Sequence, residues 1–249
     1  MSALVNGRAM RVADVMVPYS DPAVTHGLTA FETLRVDHGD PRSLALHLAR
    51  LGESCDALGL PRPDPIVLAE EVRKIGASLN TPLARVRVTI TGGGLRIVAG
   101  EPADPTRIHG PVRAVRGKHR DDPVLPGSVK HGSRASWVVA VRRSGVDEVL
   151  LVDARGRFTE GTTSCILAVI DGALWTAPED GRILPSTACA EILERAARAG
   201  VPVLRLGPPA DHPWEGLYIA SSLRDLCPVI ELDGVKLPGW DPIGRLLAS

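Results

Sequence analysis

Residues 84–90 constrain the fold more tightly than any other stretch. Ala84, Val86, Val88 and Ile90 alternate with Arg85, Arg87 and Thr89. A period of two predicts a half-buried strand, apolar on one face and polar on the other. Gly92, Gly93 and Gly94 end it. Two helices are expected before it. Leu44, Leu48, Leu51, Cys55 and Leu58 recur at spacings of four and three, which predicts a helix over 43–59, closed by Gly59 and Pro61. Ile66, Val72, Ile75 and Leu79 place a second helix over 65–79. Short strands are expected at 4–6, 30–36 and 112–115.

The second half alternates more regularly. Helices are expected at 133–143 and 186–199, the latter stopped by Gly200, with a short helix at the end of the chain. Strands are expected at 148–152, 164–170, 173–176, 203–206, 217–220 and 229–232. Strands outnumber helices and the order is not a repeating βαβ array, so the fold class is α+β. The charged, proline-bearing run RGKHRDDPVLPG at 116–127 reads as an interdomain linker. It divides a smaller N-terminal α+β domain, 1–115, from a larger C-terminal one, 128–249.

Composition removes several classes of function. The 29 basic and 29 acidic residues cancel, which argues against a nucleic-acid footprint or a polybasic membrane patch. No apolar run reaches the ~18 residues of a membrane helix, and residues 1–10 carry no signal-like apolar stretch. Cys55, Cys165, Cys189 and Cys227 are widely separated, with no CxxC pair, and read as reduced thiols of a cytoplasmic chain. The seven histidines show no HxxxH spacing, so no metal site is expected. Only four of the basic residues are lysines, at 74, 118, 130 and 236; chemistry that needs a primary amine has four candidates. The glycine triplet is not a phosphate loop, because no GK[ST] follows and Ile97 stands where a dinucleotide fingerprint needs glycine. No GxSxG elbow seats a hydrolase nucleophile.

Four segments, in order, resemble the class IV aminotransferases, the fold-type IV enzymes that use pyridoxal 5′-phosphate (PLP). They are GLTAFETLRVDHGDPRSLALHLARL at 27–51, VKHGSRASW at 129–137 with GVDEVLLVDARGRFTEGTTSCILAVIDGALWTAP at 145–178, ILPSTACAEILERA at 183–196, and YIASSLRDLCPV at 218–229. The resemblance spans nearly the whole chain. It implies a two-domain α+β fold with PLP held between the domains, and a homodimer acting on a small-molecule amino substrate.

The resemblance also implies roles for single residues. Lys130 matches the lysine that forms a Schiff base with the cofactor and then carries the substrate proton. Glu160 matches the acidic partner of the pyridine nitrogen. Phosphate is expected at Arg50, at the helix start Ser186-Thr187-Ala188 and at Ser222. Phe31, Arg87 and Arg96 are candidates for the substrate side. Three departures stand out: Ala188 and Cys189 replace a common Thr-Arg, Cys165 replaces an asparagine, and Leu28-Thr29 replace Asp-Gly. Thr91 stands where a D-amino-acid transaminase would carry a carboxylate-binding arginine. The resemblance thus implies a PLP-dependent transaminase. The alternatives are an aminodeoxychorismate lyase, since KHGSR at 130–134 is similar to that enzyme's Lys-His-x-x-Arg run, and a PLP-binding descendant without catalysis.

Overall fold

A computed structural model describes residues 2–248. These form two compact units, residues 2–105 with 129–134 and residues 106–128 with 135–248.

The first unit runs β1 (Ser2–Val5), β2 (Arg8–Arg11), α1 (Pro22–Thr25), β3 (Thr29–Asp37), β4 (Asp40–Pro41), α2 (Leu44–Ala57), α3 (Pro65–Ser78), β5 (Leu83–Thr91) and β6 (Arg96–Pro102). Its strands make a six-stranded antiparallel sheet in the order β2-β1-β6-β5-β3-β4. The alternation in β5 does what its period requires. Ala84, Val86, Val88 and Ile90 are buried with Leu51 and Cys55 of α2 and Leu68, Val72 and Ile75 of α3, while Arg85 and Arg87 fall in the opposite phase, outside that core. The glycine triplet is the β5–β6 turn: Gly94 has φ +86° and its N–H bonds to Thr91 O at 2.9 Å.

The strand β6 was not expected, because Gly100 and Pro102 interrupt its pattern. A side chain at Gly100 would lie 2.6 Å from Ile75 Cγ2 and 2.9 Å from Leu79 Cδ1. Glycine there lets α3 pack directly on the sheet.

The second unit runs β7 (Val112–Lys118), α4 (Ala135–Ser144), β8 (Glu148–Val152), β9 (Phe158–Gly161), β10 (Cys165–Ile170), β11 (Ala173–Thr176), α5 (Thr187–Arg198), β12 (Val203–Arg205), β13 (Gly216–Ser221), β14 (Arg224–Leu232), β15 (Val235–Lys236) and α6 (Pro242–Leu247). Its sheet closes on itself: β10, β13, β14, β7 and β8 pair in that order, and β9 bonds to both β8 and β10. Alternate residues of the closed sheet serve different cores. Ile166, Ala168 and Ile170 join Phe158, Leu217, Ile219 and Val229 in one. Cys165, Leu167 and Val169 join Cys189, Ile192 and Ala196 of α5 in the other.

The boundaries differ from the sequence expectation. Residues 116–118 are not linker but the end of β7, paired in parallel with β8 and set by the same sheet that β14 joins. The first unit ends at residue 105 and takes back residues 129–134, because Phe31 N–H bonds to Lys130 O at 3.1 Å and Gly132 N–H to Thr29 O at 2.9 Å. Among the described residues, no helix is long and apolar enough to cross a membrane.

Candidate active site

In the first unit, the segment 129–134 is laid along the start of β3. Ala30 and His131 form an antiparallel bridge, and Lys130 N–H donates to Ser54 Oγ of α2 at 3.0 Å. The fit is close. A Cβ on Gly132 would collide with the Thr29 hydroxyl, so glycine two residues after the lysine lets the two backbones approach. Lys130 Nζ then lies 5.1 Å from the centre of the Phe31 ring, with the Arg87 guanidinium at 3.8 Å and that of Arg134 at 6.0 Å. Three cations therefore surround one aromatic ring.

A buried carboxylate stands in the next position of the same strand. Glu32 is fully buried. Arg50 donates to it from Nε at 2.7 Å and from Nη2 at 2.8 Å, and His47 donates from Nδ1 at 2.7 Å. Burial pushes the Glu32 carboxyl upward, but the Arg50 fork, the His47 bond and the charge of Lys130 outweigh it and hold it at about 2. Burial moves His47 the other way from its usual value, downward, against the pull of Glu32. The helix explains the grouping: His47, Arg50 and Ser54 follow at spacings of three and four and lie on one face of α2, all three buried.

Sequence reasoning named Arg50 but not Glu32, His47 or Ser54. A signal was present: Glu32 falls in the apolar phase of β3, between Ala30 and Leu34, both buried. Arg96 is not part of this cluster, because both ends of its fork are taken by Glu71 of α3, Nε to Oε2 at 2.8 Å and Nη2 to Oε1 at 2.7 Å. Arg87, in contrast, carries no ion pair or hydrogen bond among the described residues, while its strand neighbour Arg85 is paired with Glu101. Burial, with the charges of Arg85 and Arg134, pushes the Arg87 guanidinium down.

In the second unit, Glu160 lies at the closure of the sheet, opposite Cys165 across the β9–β10 pairing. Leu184 N–H donates to its Oε2 at 3.2 Å. The residues that follow lead into α5, whose first turn is capped by Ser186: its Oγ accepts from Cys189 N–H at 3.1 Å. The first N–H groups of that helix have no acceptor within the helix itself and stand at the positive end of its dipole. Ser222 lies in the turn joining β13 to β14. Ser186, Thr187 and Ala188 thus share a helix start with a chain path to Glu160, while Ser222 reaches the same sheet through β13, the partner of β10.

The two cysteines that depart from the family pattern are neighbours. Cys165 Sγ donates to Ala220 O at 3.3 Å, Cys189 Sγ lies 3.7 Å from Thr176 Oγ1, and the two free thiols lie against each other. The neighbouring Cys189 thiol, and then burial, raise the Cys165 thiol well above its usual value.

Below Glu160, the β9–β10 turn is held by Glu148, fully buried at the start of β8. It accepts from the hydroxyls of Thr162, of Thr163 at 2.5 Å and of Ser164 at 3.1 Å.

The family pattern described as amino-transferase class IV matches residues 29–232. The chain belongs to the class IV aminotransferases. It is 25% identical to the branched-chain-amino-acid aminotransferase of Escherichia coli (strain K12) over 93% of this chain and 85% of that one. It is 26% identical to the bifunctional aminodeoxychorismate lyase / D-amino acid transaminase of Mycobacterium tuberculosis, over 100% of this chain and 96% of that one. Its fold matches that of a fold IV-transaminase from Curtobacterium pusillum with a TM-score of 0.84 at 24% identity, covering 100% and 99% of the two chains. Class IV aminotransferases thus share this α+β architecture and use PLP.

Proposed function

We propose that this class IV aminotransferase binds PLP through Lys130 and moves the amino group of an amino acid or related amine. The observation that carries the reading is the seat of Lys130: a lysine pinned at its backbone by Phe31 and Ser54, against an aromatic ring and a buried charge pair. The donor set suits the cofactor's chemistry: an amine for its aldehyde, a carboxylate for its ring nitrogen, and cationic and N–H donors for its phosphate. Lys130 would hold it, with Glu160 at the ring nitrogen. Phosphate would be met by Arg50, by the start of α5 at Ser186, Thr187 and Ala188, and by Ser222. Arg50 is already bonded to Glu32 through two nitrogens, so a phosphate shares this guanidinium with a carboxylate.

When bound, the cofactor supplies an electron sink for the carbanion left by breaking a bond at the substrate's α-carbon. The chain supplies the rest. Lys130 would hold the cofactor through its amine in the neutral form, and its Nζ would accept the proton from the substrate's α-carbon. The cations near Phe31 favour that neutral form. Leu184 N–H orients the Glu160 carboxylate. Phe31 lines the substrate side, and Arg87 rather than Arg96 reads the substrate's carboxylate, since Arg96 is spent on Glu71.

Lys130→Arg keeps the charge and removes the nucleophile. The variant is expected to lose the visible cofactor band and turnover by several orders of magnitude; full turnover would overturn the reading. The second reading, an aminodeoxychorismate lyase, is favoured by the full-length similarity to the bifunctional Mycobacterium tuberculosis enzyme. Incubating the PLP-loaded protein with an amino acid alone separates the two. Appearance of pyridoxamine 5′-phosphate supports transamination, whereas pyruvate release from aminodeoxychorismate without an oxo-acid acceptor supports the lyase. Homodimerisation and a cytoplasmic setting belong to the same proposal, and sedimentation would give the oligomeric state.

A further inference from the structure

The lysine seat contains more charge than its cofactor role requires. The face of α2 toward β3 presents His47, Arg50 and Ser54 where a helix of this kind would bury apolar side chains. Two of them converge on Glu32, and the third bonds to the backbone of Lys130. A phosphate-binding arginine needs neither a buried carboxylate across two of its nitrogens nor a histidine on that carboxylate. Taking Glu32 and Arg50 into the interior is costly unless each answers the other. The result is an ion pair, with no net charge, whose carboxylate is within electrostatic reach of the amine that must lose a proton to react.

We propose that Glu32 is a positioning residue for Lys130: it orients Arg50 and cancels its charge, so that the proton affinity of the amine is set by the Glu32–Arg50 balance. The inference deepens the proposed function and rests on it only for its consequence; the balance itself is a property of the chain. The charged and titratable groups around the amine that the structure identifies in this unit act in two directions. Glu32 of β3 favours the protonated amine. Arg50 of α2, Arg87 of β5 and Arg134 of the lysine's own segment disfavour it. His47 of α2, pushed downward by burial, adds no charge near neutral pH.

Opposite deletions must then act with opposite sign. Glu32→Gln leaves Arg50 uncancelled and is expected to lower the proton affinity of Lys130 by about tenfold; Arg50→Gln leaves Glu32 uncancelled and is expected to raise it by about as much. The double variant Glu32→Gln/Arg50→Gln returns it to within about twofold of the original. A purely structural role would not reverse sign or cancel.

The measurement is competitive labelling of the full-length, PLP-free protein with trace acetic anhydride across a pH series, read by mass spectrometry of the four lysine peptides. Lys74, Lys118 and Lys236, all exposed, serve as internal references. Shifts of one sign in both single variants, or no shift in either, overturn the proposal. Where a single variant does not fold, the double variant decides: an unchanged Lys130 titration upholds the balance, and a tenfold displacement overturns it. The same labelling stands apart from the functional reading. Failure to bind PLP would remove the aminotransferase assignment while leaving the sign reversal intact.

Discussion

Each unit of this chain buries one carboxylate completely, and the two are answered by different chemistry. Glu32 in the first unit meets a guanidinium fork and an imidazole. Glu148 in the second meets three hydroxyls and the N–H of Val149, the last at 3.3 Å. A carboxylate matched by a fixed opposite charge makes a rigid, directional pair, whose loss strands the partner. One matched by hydroxyls is held by groups that can rotate and donate elsewhere. The first arrangement lies under the lysine, where charge matters to the chemistry; the second pins a turn, where only shape does.

The sharpest way to break this contrast is to remove each acid. Glu32→Ala leaves Arg50 buried and uncompensated and is expected to cost about 3–5 kcal/mol of stability, measured by chemical denaturation. Glu148→Ala is expected to cost less, about 2–3 kcal/mol, because it strands only neutral hydroxyls, of which Thr162 and Ser164 are buried. Equal costs, or the reverse order, would mean that the hydroxyl cage is as rigid as the ion pair.

This contrast also marks what the sequence could reveal. The alternation of β5 and the apolar repeats of α2 and α3 made a central strand of the first sheet and its helical cover legible, because burial on one face leaves a periodic trace. The strands β6 and β9 left none: Gly100 breaks one where α3 approaches, and the other is only four residues long. Lys130, Glu160 and the start of α5 were singled out by local motifs. The pairing within the Glu32 network was not: Glu32, His47 and Arg50 all lie in the 27–51 segment, but only the β3–α2 packing brings their side chains together. Glu148 was invisible for the same reason; its three hydroxyl partners lie fourteen to sixteen residues away.

Acid titration sharpens the comparison by less than outright deletion. Glu32 is held at about 2, below its value in an unfolded chain, so its contribution is complete above the unfolded carboxyl range and drains as pH falls toward 2. His47 is pushed downward, and an unfolded chain would protonate it first. Stability is therefore expected to decline from about pH 6.5 downward and further below about pH 4.5. Measured across that range, Glu32→Gln should flatten the lower part of the curve. A curve of unchanged slope would show that the pair is not what acid breaks.

The smallest expected effect tests the other side. Thr162→Val keeps the shape of the side chain and removes one hydroxyl from Glu148, leaving those of Thr163 and Ser164 in place. Because the remaining donors can turn toward the vacated oxygen, the cost is expected to be about 1 kcal/mol. Adding Ser164→Ala removes the second buried donor, and the pair should then cost more than the sum of the single variants, since neither hydroxyl can substitute for the other. Strict additivity in denaturation would mean that each bond acts alone. In that case Glu148 would resemble Glu32, held by fixed partners rather than by an adaptable cage.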